Sequence, residues 1–331
     1  MITLVKKPSL LTYVYAGNLI KNGEIVAFPT ETVYGLGADA TNAEAVKKIF
    51  IAKGRPQDNP LIVHLAEKED IQKYVTEITE NQQKLIDAFM PGPISIIFEK
   101  NDVICDEVTA GGKTVAIRIP ENEVARKFIY YSQRPISAPS ANTSKRPSPT
   151  IAQHVYDDMN TKIPLIIDGG ATDIGIESTV VRVNKNYVYI LRPGKINAQM
   201  ILEKTGLVAM SKMDTSKIPQ SPGTKYTHYK PKCDMIIIKN DVVKNMNDIY
   251  RQKTKEGKNV VIFCKKENVN KYQNKNVVVL GENSEDASKN LFTYLREYEN
   301  NDLILCEYFD NGDMVDALFN RMIKSASGNI I

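Results

Sequence analysis

The first two hundred residues alternate short apolar runs with amphipathic stretches. Residues 25–28, 61–65, 94–98, 113–119, 165–167, 179–183 and 187–191 are rich in β-branched side chains and end at breakers, which predicts strands. Residues 43–52 and 81–90 carry helical periodicity, and Pro91, Gly92 and Pro93 stop the second helix. Strands outnumber helices and several follow one another directly. This pattern predicts an α/β domain with a mixed, strongly bent sheet rather than a regular parallel one.

Two of these strands say more through their alternation. In 113–119, Val115, Ile117 and Ile119 share one face, which sets Arg118 on the other. In 61–65, Leu61, Val63 and Leu65 share a face and leave His64 opposite. Both polar residues either meet solvent or, where the sheet curls around a cavity, line it.

Between residues 211 and 232 the periodicity stops. Pro219, Pro222, Pro231 and Gly223 break any regular element, so this is a linker by composition. Its core from Ser221 to Tyr229 holds more aromatic and hydrogen-bonding groups than a spacer needs, and a lid closing over a site is expected there. Further on, 235–238, 260–263, 277–280 and 303–306 are compact apolar strands, with helical stretches at 242–256, 284–300 and 314–325. Strands flanked by helices predict a small parallel-sheet domain of Rossmann-like layering. No glycine fingerprint follows its first strand, so no nucleotide is assigned to it. The expected division is 1–208, a linker at 209–233, and 234–331.

Composition narrows the function. A chain of 331 residues with 42% hydrophobic content suits about two domains with real cores. A formal charge of +4 is too mild to argue for nucleic-acid binding by itself. Residues 234–331 hold 14 basic and 15 acidic groups, whereas the first 233 hold 29 against 24, so an anionic ligand belongs to the first part. Cys105, Cys233, Cys264 and Cys306 lie far apart without metal or redox spacing, which reads as free thiols in a reducing compartment. Lys6, Lys7 and Pro8 interrupt any secretory core, and no apolar run reaches the length of a membrane span. A cytoplasmic protein without membrane contact is expected.

The chemistry-bearing segments sit where strands or helices stop. Gly112-Lys113-Thr114 ends like a phosphate loop, but that loop needs glycine where Glu107 stands and a helix after the lysine. Gly35 and Gly37 mimic a dinucleotide fingerprint by chance. Lys53 and Arg55 flank Gly54 at a helix end, where cations also complement the helix dipole. Pro56, Asn59 and Pro60 pin the turn that follows, which places both cations well for a triphosphate. Ser140, Ala141 and Asn142 precede a stretch dense in hydroxyls and cations, either a helix cap or an anion-cradling loop. His64, His154 and His228 show no metal-ligand spacing, and no nucleophile elbow surrounds Ser178.

Jointly these segments resemble the threonylcarbamoyl-AMP synthase family in its two-domain form. The resemblance rests on PTETVYGLG at 29–37, the Lys53–Arg55–Pro56 and Asn59–Pro60–Leu61 segment, SAPSAN at 137–142, GIESTVV at 175–181, Arg192-Pro193-Gly194, and the SPGxxYxHY linker. It covers residues 1–232 almost throughout, and the remainder by position and layering more than by motif. It implies a YrdC-like twisted, mixed open sheet around a concave basic cavity, followed by a Rossmann-like domain. It implies synthesis of threonylcarbamoyl-adenylate from L-threonine, bicarbonate or CO2, and ATP, with release of pyrophosphate, for modification beside the anticodon of tRNAs that read A-starting codons.

By the same resemblance Thr32, His64, Arg118, Ser178 and the main chain at Ala138 hold threonine. Lys53, Arg55, Asn59, Thr114, Ser140, Asn142, Ser148 and Arg192 surround ATP, and Tyr226 closes over it. No covalent nucleophile is expected; Lys53 and Arg55 neutralise charge. Mg2+ is expected on the phosphates without a protein cage, and a separate transferase takes the product to tRNA. The rivals are an RNA-binding module without catalysis, with which the basic excess and a weak RNA contact are compatible, and a carbamoyl-transfer maturation factor, whose extra modules are missing here.

Overall fold

The computed structural model describes residues 2–211 and 228–331. The chain divides into two compact units. The first comprises residues 2–144, Ser148–Asp173 and 177–211; the second comprises Lys145–Pro147, Ile174–Ile176 and 228–331.

In chain order the first unit contains β1 (Leu4–Lys6), α1 (Leu10–Lys21), β2 (Val26–Phe28), β3 (Gly35–Asp39), α2 (Ala43–Lys53), β4 (Ile62–His64), α3 (Glu80–Phe89), β5 (Ile94–Glu99) and α4 (Asp106–Thr109). It continues with β6 (Thr114–Arg118), α5 (Glu123–Ser132), β7 (Ile136–Ala138), α6 (Ala152–Met159), β8 (Leu165–Ile167), β9 (Thr179–Val183), β10 (Val188–Arg192), α7 (Ala198–Thr205) and β11 (Ala209–Ser211). The eleven strands form one sheet in the order β1-β8-β2-β3-β7-β4-β6-β5-β9-β10-β11. It mixes parallel and antiparallel pairs, as in β4 parallel to β6 and antiparallel to β7. The sheet is mixed, as the sequence pattern predicts.

Alternating side chains feed a core on each face. Val63, Ile117, Ile96, Leu36 and Ile166 join the larger cluster. Val26, Phe28, Ile136, Leu165 and Ile167 join Tyr13, Ile20 and Phe128 of α1 and α5 on the opposite face. Ile62, Ala116, Ile97 and Val180 form a smaller cluster. By strand parity they share a face with His64, Arg118 and Ser95.

Several segments depart from the sequence reading. β3 occupies the glycine-rich stretch that the strand pattern leaves out. It pairs with β2 on one side and β7 on the other. Its glycines serve packing: a Cβ on Gly37 would lie 2.7 Å from Ile136 Cγ2 and 3.0 Å from Phe28. Ala209–Ser211, assigned to the linker, forms β11 and pairs with β10. Loops 145–147 and 174–176, assigned to the first domain, belong to the second unit.

In the second unit, β12 (Asp234–Ile238), α8 (Val242–Lys255), β13 (Val260–Lys265), β14 (Val277–Gly281), α9 (Ser284–Glu297), β15 (Leu303–Glu307) and α10 (Val315–Ser325) follow in order. The sheet runs β12-β15-β13-β14 with every pair parallel. Buried Glu307, at the end of β15, accepts from the Tyr272 hydroxyl, the Asn268 amide and the main-chain N–H of Lys265. That network satisfies an anion that would otherwise be costly to bury. Among the described residues no helix is long and apolar enough to cross a membrane.

Candidate active site

The site lies on the sheet face away from the larger core. β4 and β6 run parallel with His64 directly beside Arg118. β5 pairs antiparallel with β6 through Ile96 and Ile117, and continuing that register sets Ser95 opposite Arg118. Ser95 Oγ lies 2.9 Å from Ser178 Oγ at the start of β9. A row of four polar side chains therefore crosses β4, β6, β5 and the entry to β9. His64 and Arg118 are both buried, at 4% exposure. Of the two readings that parity leaves open, this burial excludes the solvent-facing one.

Arg192 reaches the same row from β10. Without irregularity it would share a face with Ile190, which packs in the larger core. A register shift between Ile190 and Arg192 turns it to the other side. Its Nε donates to the Ser178 carbonyl at 3.1 Å and Nη2 to Ser178 Oγ at 3.1 Å. A residue assigned to ATP thus holds one assigned to threonine.

Above the row sits the turn of residues 30–33. Thr30 Oγ1 accepts from the main-chain N–H groups of Thr32 and Val33, which shapes the turn locally. Arg118 Nη1 donates to Thr32 Oγ1 at 2.9 Å, and Nη2 donates to Glu31 Oε1 at 2.6 Å. Arg118 Nε has no partner among the described residues. A buried donor left unpaired costs roughly 1–3 kcal/mol, so an acceptor brought to this edge would relieve that cost. Ala138 of β7 pairs with Ile62 of β4, and Ile136 pairs with His64.

His64 is held neutral. Burial and the neighbouring Arg118 charge lower its pKa from 6.5 to about 3. Its Nδ1 lies 3.1 Å from the Ile62 carbonyl, and Phe28 packs edge-on at 5.9 Å. The folded-state pKa lies below the unfolded one, so this group leaves stability untouched above pH 6.5 and weakens it as pH falls from there toward 3. The loss is roughly 1.4 kcal/mol per pH unit. Substituting His64→Gln is therefore expected to flatten the acid limb of the stability profile between pH 6.5 and 4, measured by urea unfolding. An unchanged slope would mean that His64 titrates normally.

Of the second group of residues, Lys53, Ser140 and Asn142 come together at the end of α2. Gly54 caps this helix in the left-handed region at φ 60°, and the N–H groups of Gly54 and Arg55 bond back to Ile51 and Phe50. Lys53, only 2% exposed, donates to the main-chain carbonyls of Ser140 at 2.5 Å and Asn142 at 2.7 Å. Ser140 Oγ in turn donates to Asn142 Oδ1 at 2.6 Å. The lysine read as a phosphate cation is also the clamp that fixes the 140–142 loop. Ser148 Oγ donates to Glu177 Oε1 at 2.5 Å. Asn59 is fully buried, and neither atom of its amide has a partner among the described residues. Thr114 opens β6 on the face of Ala116 and Arg118.

Tyr226 and residues 221–227 of the expected lid lie outside the described residues, whereas Tyr229 at its end is buried against Phe292, with ring centroids 5.0 Å apart. Sequence reasoning passed over Glu31, Glu177 and Ser95 as individual site residues. Glu31 and Glu177 lie inside the recognised segments, but in turns where strand parity offers no signal.

Comparison with known proteins covers both units. A family model described as "Telomere recombination", for Sua5, YciO and YrdC proteins, matches residues 18–194. A second, described as "Threonylcarbamoyl-AMP synthase, C-terminal domain", matches residues 195–327. The chain is 40% identical over 327 residues to the threonylcarbamoyl-AMP synthase of Pyrococcus abyssi, covering 96% of this chain and 94% of that one. It is 39% identical over 323 residues to the Bacillus subtilis enzyme of the same name, at 96% and 93% coverage. The crystal structure of P. abyssi Sua5 complexed with L-threonine superposes with a TM-score of 0.92 at 37% identity, covering 100% of this chain and 99% of the other.

Proposed function

The chain belongs to the threonylcarbamoyl-AMP synthase family, and from that premise we propose how its own residues divide the work. The enzyme joins L-threonine, bicarbonate or CO2, and ATP into L-threonylcarbamoyladenylate and pyrophosphate, the first step of threonylcarbamoyladenosine formation in tRNA. The free Nε edge of Arg118 receives the threonine carboxylate. Thr32, neutral His64, Ser178 and the main chain at Ala138 enclose the rest of the amino acid. The observation that carries this reading is the buried row of His64, Arg118, Ser95 and Ser178 beneath the Thr32 turn.

On the nucleotide side, Arg55, Thr114 and the Lys53-clamped loop of Ser140 and Asn142 meet the phosphates. Asn59, Ser148 and Arg192 complete that subsite. Threonine's amine loses a proton to solvent as it adds to CO2, and the carbamate oxygen then attacks the α-phosphate. The bond to the β-phosphate breaks, and its electrons leave with pyrophosphate. No protein nucleophile takes part, so positioning and charge neutralisation supply the catalysis.

The donor set fits Mg2+ that arrives on the nucleotide. Ser140 and Ser148 offer neutral hard oxygens and Arg55 a cation, so the phosphates rather than a carboxylate cage would hold the ion. When bound it lowers the negative charge that the carbamate must approach. The product is a mixed anhydride, which a tRNA-acting transferase has to collect before water does.

Crossed substitutions test the division of the site. Thr32→Val is expected to weaken threonine binding by roughly tenfold and leave ATP binding unchanged; Ser148→Ala is expected to do the reverse, each losing about one hydrogen bond. Isothermal titration with each ligand reads both. Equal losses for both ligands in both variants would show that the subsites are wrongly drawn.

A further inference from the structure

Arg118 carries five N–H donors, and the chain itself occupies both terminal nitrogens. Thr32 and Glu31, adjacent in one buried turn, take Nη1 and Nη2. Glu31 is 3% exposed, and its second oxygen accepts from the main-chain N–H of Asn122, the N-cap of α5, at 3.4 Å. The plane of the guanidinium is thus fixed from two sides, and Nε keeps an open donor within a side chain 4% exposed. Nothing in the reaction itself calls for a carboxylate at this point, where it partly cancels the cation meant for substrate.

We propose that Glu31 is a positioning and charge-balancing residue that makes the pocket select a zwitterionic amino acid over a plain carboxylate. The proposal rests on Arg118 being the partner of threonine's carboxylate. With Glu31 at 2.6 Å, an incoming anion meets a neutral buried pair instead of a bare cation. A plain carboxylate would then leave one uncompensated negative charge in a desolvated site. An amino acid brings its own ammonium, so its complex stays balanced. Arg192, the other cation near the row, is assigned to the nucleotide. Glu31 therefore excludes anions that resemble threonine without its amine, the group that must become the carbamate.

The test is equilibrium titration without ATP, using L-threonine and 3-hydroxybutyrate, which is threonine lacking the amine. Wild type is expected to bind threonine at least about tenfold more tightly than 3-hydroxybutyrate. Glu31→Gln is expected to narrow that ratio by roughly fivefold or more, through a gain in affinity for 3-hydroxybutyrate. Glu31→Asp keeps the charge, so it should keep the preference while weakening both ligands. Arg118→Gln should lose both.

If Arg118→Gln binds threonine normally, the carboxylate assignment fails and the proposal falls with it. If Arg118→Gln loses threonine but Glu31→Gln weakens both ligands by one factor, as a merely structural residue would, only the role of Glu31 is overturned. A wild type that takes the two ligands equally overturns it as well. The wild-type ratio and Glu31→Asp decide the matter should Glu31→Gln fail to fold.

Discussion

Replacing Arg118 with Gln is expected to lower kcat/KM for threonine by about 2–5 kcal/mol, or roughly thirty- to several-thousand-fold, with little change in the KM for ATP. The substitution removes the Nε donor that has no partner among the described residues and that is proposed to receive the carboxylate. It also strands Glu31, whose carboxylate is buried at 3% exposure and bonded to Arg118 at 2.6 Å. Breaking a buried pair from one side costs roughly 3–5 kcal/mol of stability, so Arg118→Gln should unfold at lower temperature. The double variant Glu31→Gln with Arg118→Gln separates the two effects. It should recover much of the stability and none of the threonine dependence. Thermal unfolding together with pyrophosphate release at varied threonine measures both; threonine dependence restored in the double variant would remove Arg118 from the substrate site.

Lys53→Met is expected to damage stability and ATP use together. Methionine fills similar volume without the ammonium, so the carbonyls of Ser140 and Asn142 lose a charged donor in a site 2% exposed. Hydrogen bonds to charged groups contribute roughly 1.5–3 kcal/mol each, which places the loss among the larger single-site effects. The 140–142 loop would then no longer be held against the end of α2, and the KM for ATP should rise. Lys53→Arg should rescue poorly, because a planar fork replaces a compact ammonium in a closed space. Arg55→Ala, by contrast, should raise the KM for ATP with little loss of stability, since its place after the cap is set by main-chain bonds. Unfolding curves and ATP titrations of the three variants check this. Full stability in Lys53→Met would show that the clamp does not hold the loop.

Much of the site was legible because β-strands have a period of two. Parity alone set His64 and Arg118 opposite their apolar neighbours, and the sheet then brought the two together in register. The parallel second unit was likewise readable from its compact apolar strands. What escaped has physical reasons. β3 is Gly-Leu-Gly-Ala-Asp, without β-branched residues, and it is a strand because its neighbours supply partners on both edges. In α1, Leu10, Leu11, Val14 and Tyr15 are at least partly exposed while Thr12, Gly17 and Ala16 are buried, so the apolar stripe misreports the packed face. Gly17 is small because α5 approaches so closely that a Cβ there would lie 2.6 Å from the Tyr131 carbonyl oxygen. The bulge that turns Arg192 inward leaves no mark in the strand's own pattern. Glu31 escaped because its partner lies 87 positions away.

The most direct test of the account is a panel of amino acids supplied one at a time with ATP, Mg2+ and labelled bicarbonate. The products are pyrophosphate and a labelled adenylate separated by chromatography. The account predicts labelled adenylate with L-threonine in one-to-one ratio with pyrophosphate, and little with L-valine or 3-hydroxybutyrate, which lack the hydroxyl or the amine. Pyrophosphate release that does not depend on threonine, or equal labelled product from valine, would contradict it.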